Sequence, residues 1–187
     1  MISVRRARPA DAAAIGAVHA AAWQSVYPGI LPDSYLATLS VPRLGAFYQR
    51  AILDRHGAHA VFVAVACPGA GGGEPAVVGF ASGGQARRPG LAEGEIETLY
   101  LLDDYREQGA GRRLMRAMAA HLRAVGCRSA VVWVLKENPS RWFYGRLGGR
   151  PAAREVIRFA GHPVEQMAYV WDPIETLLSA TAPAQEG

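Results

Sequence analysis

The chain has 187 residues, enough for one ordinary domain, or at most two very small ones, with a sizeable core. Half of the residues are apolar and 19% are charged, which excludes a disordered chain, and the 21 Gly and 12 Pro follow no short repeat, which excludes collagen-like or linker behaviour. The 20 basic and 16 acidic residues leave +4, carried almost wholly by Arg because Lys136 is the sole Lys. That excess suits an anionic ligand, but with no basic stripe interleaved with aromatics it does not point to nucleic acid.

Ile2 to Ala7 reads as a first strand. The Ala-rich run Ala12–Trp23, after Arg5, Arg6 and Arg8, superficially resembles an export signal, but Asp11, His19 and Gln24 interrupt it. It reads instead as an amphipathic helix from Asp11 to about Ser25, too short to span a bilayer, and the expectation is a soluble cytoplasmic protein with no membrane partner. Short helices follow towards Leu39 and from Pro42 to Leu53. Ala60–Ala66 and Ala76–Ser82 read as a hairpin around a Gly-rich link, Cys67 to Pro75. A loop from Gly83 to Gly94 leads to a strand, Glu95–Leu101. After the tight loop Arg106–Gly111, a helix runs to about Val125, with Leu114, Met115, Met118, Ala119, Leu122 and Val125 on one face. Ala130–Leu135 reads as a buried central strand, and Asn138-Pro139 starts a short helix that Gly148-Gly149 stops. Val156–Phe159 and Gln166–Trp171 close the sheet, Ile174 to Leu178 reads as a last helical turn, and Ser179 to Gly187 read as frayed. The expectation is an α+β domain on a mostly antiparallel sheet over residues 1–173, with a tail at 174–187.

Two cysteines, Cys67 and Cys127, make neither a disulfide framework nor a zinc spacing, and they read as reduced, buried or semi-buried thiols. His56 and His59 have no nearby carboxylate or thiol in sequence, read as polar loop, and leave no metal site. The triple glycine Gly71–Gly73 is rejected as a phosphate loop because a strand, not a helix, follows it.

The informative stretch runs from Leu99 to Met115. Gly109 and Gly111 let the backbone turn tightly and approach a ligand closely. The helix then opens with amides that lack intrahelical partners, flanked by Arg106, Arg112 and Arg113: donors for a pyrophosphate. No Gly-Lys-Ser/Thr follows, which argues against a nucleotide triphosphatase.

Arg106-Glu107-Gln108-Gly109-Ala110-Gly111 matches, at every defined position, the Arg/Gln-x-x-Gly-x-Gly/Ala signature of the GNAT superfamily, the acyl-CoA-dependent N-acyltransferases. The opening Arg-Pro-Ala-Asp segment, Tyr100, and Asn138 leading into Phe143-Tyr144-Gly145-Arg146-Leu147-Gly148 also resemble family landmarks. The resemblance implies a GNAT-like sheet of about seven strands flanked by helices. It implies that amides from Gln108 to Arg112 hold the pyrophosphate of acetyl-CoA. Leu99 and Leu101, around Tyr100, would pair with the pantetheine arm as an extra strand, and Asn138 would hydrogen-bond the pantetheine or acyl end.

By the same resemblance Tyr144 sits beside the thiol and is the candidate acid; the alternative is a core aromatic, since Trp142, Phe143 and Tyr144 are consecutive. Glu95 and Glu97 share one strand face by period two and are the candidate bases; the alternative is a solvated strand face. The break in alternation at Leu99 and Leu101 suits a β-bulge. Neither cysteine has a His or Asp signature for a nucleophilic mechanism. Trp23 to Leu36 is the expected acceptor wall, with Trp23 in the core and Tyr27 and Tyr35 open between pocket and core. Glu93, Glu95 and Glu97 would suit a cationic amine. The expected activity is acetyl transfer from acetyl-CoA to a primary amine by direct attack in a ternary complex; the alternative is a catalytically weak CoA-binding regulatory module. Monomer and homodimer both remain open.

Overall fold

The computed structural model describes residues 1–54, 58–67 and 72–183; His56, residues 68–71 of the glycine-rich link and residues 184–187 of the expected tail lie outside them. Seven strands form one sheet in the order β1 (Ile2–Arg6), β2 (Ala60–Ala66), β3 (Ala76–Gln85), β4 (Gly94–Leu101), β5 (Ala130–Leu135), β7 (His162–Trp171) and β6 (Arg150–Phe159). All neighbours are antiparallel except β4 and β5. This is the α+β architecture that the sequence predicts.

Helices α1 (Ala12–Val26) and α3 (Val41–Leu53) pack on one face of the sheet. Helices α4 (Ala110–Ala124) and α6 (Glu175–Ala180) pack on the other. The apolar stripe of α4 explains its seat: Leu114, Met115, Met118 and Leu122 are fully buried against Ala81, Ile96 and Val132. Each such side chain stabilises the fold by about 1.5–3 kcal/mol. On the opposite face Ile15 and Val18 of α1 meet Tyr48 of α3 and Phe80 of β3. The two helices touch backbone to backbone at Gly16, where a Cβ would lie 2.7 Å from the Gly45 nitrogen. The short helix α2 (Asp33–Leu36) places Leu36 with Tyr27 and Leu31 over Leu135 and Phe159, and α5 (Arg141–Arg146) follows β5.

The structure moves several predicted boundaries. Strand β3 continues through Gly83 and Gly84 to Gln85, because pairing with β4 persists there and Gly83 leaves no room for a Cβ, 2.3 Å from the Glu95 carbonyl oxygen. Strand β6 starts at Arg150, well before Val156. It is an edge strand, so its exposed polar positions mask the apolar alternation and Pro151 is tolerated. The described residues after 173, in the expected tail, pack onto the domain. Ile174 and Leu177 are fully buried, Thr181 is buried, and Arg112 and Arg116 donate to the carbonyl oxygens of Ala182 and Leu178 at 2.7 and 2.9 Å. Cys127 is buried as expected, whereas Cys67 is exposed at the end of β2. Among the described residues, no helix is long and apolar enough to cross a membrane.

Candidate active site

Strands β4 and β5 pair only where Gly94–Ile96 meet Ala130–Val132. Beyond that point β4 keeps its partner β3 as far as Leu101 but has lost β5. A cleft of about 660 Å³ fills the opening, walled by α1, the two parted strands, the loop before α4, α5 and the tip of the β6–β7 hairpin. Ser82 pairs with Thr98 and Gly83 with Ile96, so Glu97 is the extra residue of a β-bulge. The sequence places the bulge correctly on β4, two residues late.

One end of the cleft is the loop into α4. A 3-10 turn, Asp103–Tyr105, is followed by Arg106, whose Nη2 pairs with Asp103 Oδ1 at 2.8 Å. Glu107 and Gly109 adopt left-handed φ of 60° and 77°, and α4 then starts at Ala110. The Arg113 amide donates to the Gly109 carbonyl at 3.1 Å, so the amides before it have no intrahelical acceptor and stand at the positive end of the helix. Arg106, Glu107, Gly109, Gly111 and Arg112 line the cleft. Two residues of the expected set do not. Gln108 turns its side chain onto the Asp104 carbonyl oxygen at 2.7 Å, and Ala110 is buried in the core. Leu99, Tyr100 and Leu101 present the unpaired β4 edge, while the Tyr100 ring packs behind it among His19, Trp23 and Phe80.

At the other end, Glu95 and Glu97 both reach the cleft. Glu95 is buried and clamped by Arg87, which donates Nη2 to Oε1 at 2.8 Å and its backbone N to Oε2 at 3.2 Å. Glu97 is looser: Oε1 lies 3.6 Å from Arg87 Nε and Oε2 lies 3.4 Å from His59 Nε2. Burial alone would raise the Glu97 carboxyl, but the hydrogen bond and charge of His59, with the charge of Arg87, outweigh it and hold the group below the usual carboxylate range. The two carboxylates do share a face, as alternation predicts, but it is not a solvated one. Glu93 leaves the predicted acidic trio. It pairs with Arg128 at 2.9 Å and lines no part of the cleft. With Arg87 offsetting the remaining pair, charge alone does not mark this end for a cation.

Between the two ends stand phenols. Tyr144 lines the cleft and also packs against Phe143, Tyr169 and Trp171. Burial pushes its hydroxyl well up, and it stays protonated. Burial also raises Tyr27, moderated by the hydrogen bond that Asn138 Nδ2 donates to its oxygen at 3.2 Å. Asn138 is buried, and its Oδ1 accepts from the Ser140 amide at 2.8 Å, which fixes the side chain at the start of α5. Trp23 and Tyr27 line the cleft, so Trp23 is a wall residue rather than core alone; Tyr35 stands behind, edge-on to Phe159 at 4.9 Å.

Sequence reasoning missed Arg87, Arg88, Trp133, Phe159 and Gln166 in the cleft lining. Arg88 stacks over Trp133 at 4.9 Å and pairs with Glu155 at 2.8 Å. The available signal was a basic pair in the turn just before an acidic strand, which an antiparallel hairpin folds back onto it.

The model of the acetyltransferase (GNAT) family matches residues 23–148, which include both ends of the cleft. The chain belongs to the GNAT family. It is an acetyltransferase by that membership. Across nearly its whole length this GNAT chain is 32% identical over 178 residues to the uncharacterized N-acetyltransferase YuaI of Bacillus subtilis (strain 168), covering 95% of this chain and 96% of that one. Among solved GNAT-like structures, PaiA N-acetyltransferase from Thermoplasma acidophilum in complex with coenzyme A superposes with a TM-score of 0.66 at 16% identity, covering 89% of this chain and 98% of that one. The Salmonella typhimurium protein yncA with its cofactor acetyl-CoA gives 0.65 at 22% identity, covering 91% and 93%.

Proposed function

We propose that this protein transfers an acetyl group from acetyl-CoA to a primary amine by direct attack in a ternary complex. The observation that carries this reading is one continuous cleft joining the amide-rich loop at Gly109 to the carboxylates at Glu95 and Glu97. The CoA and acetyl-CoA complexes of PaiA and yncA support the same donor here. The α4 amides, Arg106 and Arg112 hold the diphosphate. Main-chain groups from Leu99 to Leu101 pair with the pantetheine amides, and Asn138 fixes the acyl end.

The thioester arrives already activated, so positioning supplies much of the rate. Glu97 is the base in this reading rather than Glu95, because Arg87 occupies both oxygens of Glu95. Glu97 takes the ammonium proton through a water. The freed nitrogen pair attacks the thioester carbon, and the C=O π pair moves onto oxygen. Collapse reforms C=O and breaks C–S, leaving the pair on sulfur. Tyr144 donates a hydrogen bond to that sulfur. Its raised pKa keeps it a donor, so the proton that neutralises the thiolate comes from the amide nitrogen as it forms. The acceptor walls at Trp23, Trp133 and Phe159 suit an amine carried on an apolar group.

The test is thiol release from acetyl-CoA over a panel of primary amines, with CoA binding measured alongside. Acceptor-dependent thiol release with matching N-acetyl product is expected. CoA binding without any acceptor-dependent release would establish the regulatory-module alternative instead.

A further inference from the structure

A carboxylate held below its usual range is a weak proton acceptor, yet Glu97 keeps a second polar neighbour that the reaction as described does not use. His59 precedes β2, and its Nε2 lies 3.4 Å from Glu97 Oε2, with both side chains about four-fifths buried. The backbone is built to put it there. Ala58 sits at a left-handed φ of 55°, and His121 of α4 donates Nε2 to its carbonyl oxygen at 2.7 Å. A non-glycine residue held at positive φ costs on the order of 1 kcal/mol, so the surrounding contacts impose it. The other ring nitrogen, His59 Nδ1, is buried with no hydrogen-bond partner among the described residues. Hence Glu97 is the one described group that orients this ring.

We propose that His59 is the positioning residue of Glu97: it donates Nε2–H to Oε2, fixes the rotation of the carboxylate, and leaves Oε1 on the Arg87 side that lines the cleft. This rests on the reading of Glu97 as base. It extends that reading, because the base becomes a pair whose strength depends on the charge of the ring. Neutral imidazole orients the carboxylate and leaves it basic; imidazolium weakens it as a base. The groups facing the pair are Arg87 from the β3–β4 link, with Glu95 beyond it, and Tyr48 from α3. Tyr48 is a phenol raised by burial and stays neutral, and Arg87 stays charged.

The test compares His59→Leu, which has no donor, with His59→Gln, which keeps an N–H but does not titrate. His59→Leu should lower kcat on the order of 10-fold with the KM for acetyl-CoA unchanged. His59→Gln should restore most of the turnover at pH 8 and move the acidic limb of the pH–rate profile down by about one unit or more. In a Glu97→Gln background, His59→Leu should cost nothing further, since its effect runs through Glu97. Independently of activity, the His59 ring signals in NMR spectra should move in Glu97→Gln, because the ring loses the carboxylate that orients it. Wild-type pH profiles in both folded His59 variants, or unmoved ring signals, overturn the proposal while leaving Glu97 as base. Full turnover by Glu97→Gln overturns the base reading and this proposal with it.

Discussion

Gly111→Glu should separate holding the donor from holding the fold, with Gly111→Ala, which the Gly/Ala position of the signature admits, as its control. A Cβ at Gly111 would meet Leu101 Cδ1 and Phe143 Cζ at 3.4 Å each, ordinary contact distances, so the helix accepts the methyl without moving. Replacing Gly by Ala near the start of α4 gains up to about 0.5–1 kcal/mol, and the melting temperature should hold or rise by ~2–4 °C. A Glu side chain carried on that Cβ instead puts bulk and negative charge on the cleft wall, where the diphosphate must approach the backbone. Losing one charge-assisted amide contact of about 1.5–3 kcal/mol weakens CoA roughly 10- to 100-fold in Gly111→Glu, whereas Gly111→Ala should bind it nearly as the parent does. Calorimetry with CoA, alongside the ligand-induced rise in melting temperature, measures both sides. Gly109→Ala is the counterpart. Its Cβ would meet nothing within 4 Å, but at φ 77° the residue should lose about 1–2 kcal/mol of stability. Unchanged CoA affinity in folded Gly111→Glu would refute the assignment of this turn to the diphosphate.

Tyr144→Phe, which removes the hydrogen bond to the departing sulfur, should lower turnover roughly 10- to 100-fold with little change in stability, since no described group hydrogen-bonds its hydroxyl; equal turnover would return the ring to the core alone. Gly16→Ala should destabilise by about 1–3 kcal/mol, because the new Cβ would press on backbone of α3, the Gly45 nitrogen at 2.7 Å and the Val41 oxygen at 2.9 Å; an unshifted urea midpoint would contradict that close crossing. Burial lowers His19 from about 6.5 to about 4, so the unfolded chain binds the proton first as pH falls. Stability that is full above pH 6.5 should drain away towards pH 4 with a slope of at most ~1.4 kcal/mol per unit, and His19→Gln should flatten that slope in unfolding curves.

What was legible in the sequence was local. The left-handed turn at Gly109, the apolar face of α4 and the alternation of Glu95 with Glu97 each depend on neighbours within a few residues. What was hidden depends on chain segments brought together by the sheet. Arg87 becomes the clamp on Glu95 only because β3 folds back on β4, and His59 meets Glu97 across two strands. Strand β6 was half hidden for another reason: one flank is free, so Arg150, Arg154 and Arg158 carry no burial signal. At the end of the chain the helical turn at Ile174–Leu178 was legible, but its seat was not, because Ile174 and Leu177 are too few to show a buried face, although both fill the core beneath α4.

The parting of β4 from β5 gives this sheet a docking rail in its middle rather than at its rim. Ordinary sheet borders risk zipping onto other proteins, but this one is roofed by α1 and walled by α5. From Glu97 to Leu101 it measures ~13 Å at ~3.3 Å per residue. A slender guest carrying its own amides would complete the missing ladder there, along an edge already covered against other chains.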